Sequence, residues 1–68
     1  MLMRFKEIKK RHLYRTWVGR NKNCVVKIKC LNHQYHFQVI FKDERQYQSS
    51  FYEDFEECKK AAEEYIKK

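Results

Sequence analysis

Cys24-Val25-Val26-Lys27-Ile28-Lys29-Cys30-Leu31-Asn32-His33-Gln34-Tyr35-His36-Phe37-Gln38-Val39-Ile40-Phe41 is the stretch on which the fold turns. Within it Cys24, Val26, Ile28 and Cys30 alternate with Val25, Lys27, Lys29 and Leu31. Tyr35, Phe37, Val39 and Phe41 alternate in the same way with His36, Gln38, Ile40 and Lys42. A period of two is the mark of a strand with one face buried. The stretch therefore predicts two strands joined by a hairpin at Leu31-Asn32-His33-Gln34, where Asn32 is best suited to a turn. Upstream, residues 13–20 predict a further strand, ended by the turn-like Gly19-Arg20-Asn21-Lys22-Asn23.

Downstream, Phe51, Phe55, Cys58, Ala62 and Tyr65 recur at steps of four, three, four and three, with Ile66 beside Tyr65. That spacing draws one apolar stripe on a helix. Two capping boxes compete for its start, Ser50-x-x-Glu53 and Asp54-x-x-Glu57. Glu53, Asp54, Glu56 and Glu57 near the amino end and Lys67 and Lys68 near the carboxyl end suit the helix dipole. Residues 1–12 are ambiguous, because Leu2, Phe5, Ile8 and His12 step at helical intervals within a short basic segment. The expected fold is α+β: a basic arm or short helix at residues 1–12, then a single β-β-β-α domain at 13–68. Its three-stranded antiparallel sheet is packed on one face by the C-terminal helix.

A chain of 68 residues has room for one core. Its 43% hydrophobic and 16% aromatic residues suffice for that core, so disorder is not expected over most of the chain. The apolar runs are short and interrupted by charge, and none approaches the ~20 residues that span a bilayer. Residues 1–5 lead into Lys6, Glu7 and Lys9 instead of a secretory apolar run. Three cysteines, an odd number, fit reduced thiols better than a disulfide framework. The expected location is the cytoplasm.

Charge is distributed unevenly. Residues 1–29 carry ten basic side chains against a single acid, Glu7, whereas residues 30–68 carry six basic and eight acidic ones. If Val26, Ile28 and Cys30 face the helix, the pleat sends Lys27 and Lys29 to the opposite face, together with His36, Gln38 and Lys42. The helix bears the acids. The open face of the sheet is thus the expected binding surface, with lysines and arginines on phosphates and Gln38, Arg15 or Arg20 reaching base edges. Lys22, in the turn after the first strand, adds to the basic half.

Trp17 has two readings: a core or edge residue with a large apolar area, or a stacking platform if it shares a face with Arg15. Cys24, Cys30, His33 and His36 form C-x5-C-x2-H-x2-H, which departs from the C-x2-4-C knuckle of zinc sites. The two cysteines are more simply core residues of one strand face, so neither metal nor cofactor is expected. One glycine excludes a phosphate-cradling loop, and Ser49 and Ser50 stand where a helix start wants caps. The carboxylates line an outward helix face, where they are usually solvated. Catalysis, a small-molecule substrate and membrane contact are therefore not expected.

With three strands and a basic sheet before it, Ser50-Phe51-Tyr52-Glu53-Asp54-Phe55-Glu56-Glu57-Cys58-Lys59-Lys60-Ala61-Ala62 resembles two related domains. They are the amino-terminal arm-binding domains of conjugative-transposon integrases and the DNA-binding domain of plant ethylene-response factors. In them an aromatic precedes a capped helix of the form F-x-x-x-E-E-A, and the sheet enters the major groove. Phe51 matches the aromatic, Glu56-Glu57 the acidic pair and Cys58 the small residue that packs on the sheet. The resemblance implies DNA as the partner, ahead of RNA, with Arg15, Trp17, Lys27, Lys29 and Gln38 on DNA-facing strands. The ending Cys58-Lys59-Lys60-Ala61-Ala62 also resembles the last helix of double-stranded-RNA-binding domains. That family needs a basic helix amino terminus, where this chain is acidic. A second class stays open: small proteins rich in Lys, Asn, Tyr and Phe are typical of phages and mobile elements. There, an inhibitor of the anti-CRISPR type binds a host nucleoprotein or nuclease, through a basic face or an acidic mimic of nucleic acid.

Overall fold

The computed structural model describes residues 4–11 and 14–67, and its centre is the hairpin foreseen from the alternation. β3 (Cys24–Leu31) and β4 (Gln34–Phe41) pair antiparallel, with Val26 opposite Val39 and Ile28 opposite Phe37. Two residues join them, Asn32 at φ 52° and His33 at φ 67°. A two-residue loop with positive φ at both positions is a type I′ turn, whose twist matches that of the strands it connects. β2 (Tyr14–Arg20) pairs along β3. Asn21 shapes the loop between them: its Oδ1 accepts from the backbone N–H groups of Asn23 at 2.8 Å and Cys24 at 2.9 Å.

The sheet has five antiparallel strands in the order β1-β2-β3-β4-β5, where the sequence predicts three. The first addition, β1 (Phe5–Arg11), lies where an arm or short helix is expected. Its alternation is broken by a bulge at Ile8: Glu7 pairs with Trp17 but Lys9 with Thr16, and the extra residue shifts every later side chain. That break hides the strand from a period-two reading. Pairing with β2 overrides the helical spacing because it supplies a backbone ladder on either side of the bulge, a ring contact of Phe5 on Gly19, and an ion pair from Glu7 to Arg15. Residues 1–3, His12, Leu13 and Lys68 lie outside the described residues.

The second addition, β5 (Gln46–Gln48), has three polar residues and no hydrophobic period of its own. Beyond it the chain keeps hold of β4. The Ser49 hydroxyl accepts from Phe37 N–H at 2.9 Å and donates to Ser50 O at 2.8 Å, and Tyr35 and Tyr52 exchange a pair of backbone bonds. Ser49 thus repairs the β4 ladder and does not cap the helix.

α1 (Phe55–Lys67) follows Asp54, whose carbonyl accepts from Cys58 N–H at 3.1 Å, so the helix starts at the second of the two candidate caps. The helix lies across β4 and β3. Cys58 and Ala62 are buried against Cys24, Val26, Ile28, Phe37 and Val39, with Phe55, Tyr65 and Ile66 at the rim. Each fully buried Val or Ile contributes about 1.5–3 kcal/mol, and Phe5 of β1, Trp17 of β2 and Tyr52 pack against the same core. Phe51 falls outside the helix and outside the stripe. All three cysteines are free and buried. Burial pushes the Cys58 thiol up to about 12, so it carries no thiolate near neutrality. Among the described residues no helix is long and apolar enough to cross a membrane.

Candidate nucleic-acid interface

Paired residues on neighbouring strands share a face, so the register sorts every side chain of the sheet. One face lies under α1. On the other, Lys9, Thr16, Lys29 and His36 form one row, and Lys6, Val18, Lys27, Gln38 and Gln48 form the next. Arg11, Tyr14, Leu31 and Gln34 flank the first row; Arg20, Val25, Ile40 and Gln46 flank the second. This open face therefore carries Lys6, Lys9, Arg11, Arg20, Lys27 and Lys29 and no strand acid, since Glu7 points to the helix side. At the corner where β1 begins and β2 ends, Arg4, Lys6 and Arg20 line a shallow trough with Ile8 and Val18.

The sequence-predicted site residues divide between the faces. Arg20, Lys27, Lys29 and Gln38 stand together on the open face, where Gln38 Nε2 donates to Gln46 Oε1 at 3.1 Å. Lys22 and Lys42 are exposed at one end of the sheet, which is drawn together by a 3.1 Å bond from Lys42 N–H to Asn23 O. Arg15 and Trp17 are on the helix side, opposite Cys30 and Ile28. The Trp17 ring packs 4.6 Å from Phe55 and 6.0 Å from Tyr35. Arg15 lies over it at 4.8 Å and forks onto both carboxylate oxygens of Glu7, the longer bond at 3.1 Å. That bidentate bond holds Glu7 below the usual carboxylate range and Arg15 above its ordinary value. The guanidinium is committed within the fold.

The open face also gathers residues that sequence reasoning left out. Lys6, Lys9 and Arg11 join it because β1 is a strand. Phe51 joins it because Tyr52 turns inward to Phe37, leaving the preceding ring on the other side, in T-shaped contact with His36 with centroids 5.2 Å apart. It is 55% exposed. The sequence holds no signal that separates the Ser50 cap from the Asp54 cap, so only the start of α1 at Phe55 excludes Phe51 from the helix.

Two polar atoms in the Lys29 row, Thr16 Oγ1 and His36 Nδ1, are buried without a hydrogen-bond partner. Such orphans are uncommon in folded proteins. Burial, and then the Lys29 charge, hold His36 below its ordinary value. The C-x5-C-x2-H-x2-H residues do not assemble: Cys24 and Cys30 face the helix, His36 faces away, and His33 is in the turn. Among the described residues no three metal-binding side chains converge.

No protein-family model, curated protein or solved structure matches this chain.

Proposed function

We propose that the protein binds nucleic acid, without catalysis, through the open basic face of its sheet. What supports this is the segregation of charge. Lys6, Lys9, Arg11, Arg20, Lys27 and Lys29 share one face, while Glu56, Glu57 and Glu64 stand exposed on the helix that packs against the other. A surface of one sign on a flat support attracts and orients a polyphosphate, and counterion release supplies most of the affinity. The neutral amides of Gln34, Gln38, Gln46 and Gln48 along β4 and β5 offer donors and acceptors to sugars and base edges.

Charge reversal on each face tests this reading. Lys27→Glu with Lys29→Glu replaces two attractive charges with two repulsive ones and should cut affinity for a mixed-sequence oligonucleotide by at least tenfold. Glu56→Lys with Glu64→Lys on the helix should leave affinity level or raise it modestly. Loss in the helix variant with retention in the sheet variant would invert the assignment and favour an acidic mimic acting on a nucleic-acid-binding protein.

A further inference from the structure

Width separates the kinds of nucleic acid this face can take. Five strands spaced 4.7–4.9 Å apart set the outer strands roughly 19 Å from each other. The major groove, about 12 Å wide, admits a helix or a two-stranded ribbon. The cations are spread across that width: Lys6 and Lys9 are on the edge strand β1, Lys27 and Lys29 on the central β3. A duplex seated in a groove reaches one strip of this face and leaves the rest idle. A single strand laid across the β-strands reaches all of it.

The face also carries what an unpaired base needs. Phe51 is 55% exposed and meets the His36 ring in a T-shaped contact, so more than half of its surface is accessible to a stacking base. His36 is the cross-strand partner of Lys29, so a cation stands one residue beyond the ring pair. At the far corner, Ile8 and Val18 are set among Arg4, Lys6 and Arg20. Apolar and aromatic surface interleaved with cations is the composition of single-strand platforms, where bases stack and phosphates track the charge.

We infer that the ligand of the open face is a single-stranded nucleic acid, with one base stacked on Phe51 and its phosphates crossing Lys29 and Lys27 toward the Arg4–Lys6–Arg20 corner. This deepens the proposed function and rests on it. Phe51 is the specificity-determining residue for unpaired over paired ligands, since a base inside a duplex has no face to offer it.

The test is fluorescence anisotropy with the full chain, using a labelled mixed-sequence 12-nucleotide single strand and its duplex at one fixed low salt concentration. The single strand should bind at least tenfold more tightly. Phe51→Leu should lose roughly tenfold for the single strand, the scale of one base–aromatic stack, and leave the duplex unchanged. Phe51→Tyr, which keeps a ring, should retain the single-strand affinity; circular dichroism of each variant verifies that the exposed position has not altered the fold. Equal binding of both probes, or no loss in Phe51→Leu, overturns the inference while leaving phosphate binding by the face in place. No binding of either probe overturns both.

Discussion

His36 shows how one side chain joins stability to the binding face. Its ring is part of the row that contains Thr16, Lys29 and Lys9, with Phe51 in T-shaped contact with it. Burial and the neighbouring Lys29 make protonation harder in the folded chain than in the unfolded one, where the ordinary value is 6.5. Above that value His36 is neutral in both states and contributes no pH dependence. As pH falls below it the unfolded chain binds the proton first, so stability declines through the window down to the folded value. His36→Gln removes this component. Between about pH 7.5 and about pH 5.5 the urea midpoint of the wild type should therefore fall more than that of the variant. Parallel slopes would mean that the ring is solvated in the folded state.

At the scale of elements, β1 depends on one close approach. Gly19 is buried beneath Phe5, and a Cβ there would come within 3.0 Å of the Phe5 ring and 3.1 Å of the Arg4 carbonyl oxygen. The ring can swing aside, but the carbonyl belongs to the backbone. Gly19→Ala should therefore destabilise the protein by about 1–3 kcal/mol and act first on β1, which holds only one neighbour. Hydrogen exchange should show β1 amides losing protection before those of β3. Uniform loss across the sheet would make β1 part of the same cooperative unit as the core. The bulge at Ile8 and the lysines of β1 have a complementary role, since both discourage a further strand from adding at that edge.

For the molecule as a whole, the distribution of charge sets how binding responds to salt. A single strand whose phosphates are neutralised at four positions releases counterions with a log–log slope of about −2.8, against about −3.6 for the same contacts on duplex DNA. Affinity for the 12-nucleotide single strand should fall along a line of that order as salt rises. A flat response would exclude phosphate contact as the source of affinity. The acidic outer surface of α1 adds direction: an approaching polyanion is repelled on that side and attracted on the other.

The sequence alone determined the β3–β4 hairpin, the α+β class and a C-terminal helix with Phe55, Cys58, Ala62 and Tyr65 on one stripe, though not which of two caps begins it, because these lie in local periods of two and of 3.6 residues. It also showed Lys27, Lys29 and Gln38 opposed to Val26, Ile28 and Val39, since the pleat alternates without help from distant contacts. Only the tertiary structure decided that Phe5–Arg11 and Gln46–Gln48 are strands. Neither segment has a clean apolar alternation, and each is held by the ladder of its neighbour, β2 or β4. Register decided the rest. It turned Arg15 and Trp17 toward Glu7 and Phe55 and away from the basic face, and the chain path between Ser49 and Asp54 put Phe51 on that face instead. A side chain's face follows from local alternation, but which face becomes the core follows from where the helix lands, and that is settled by contacts between residues far apart in the chain.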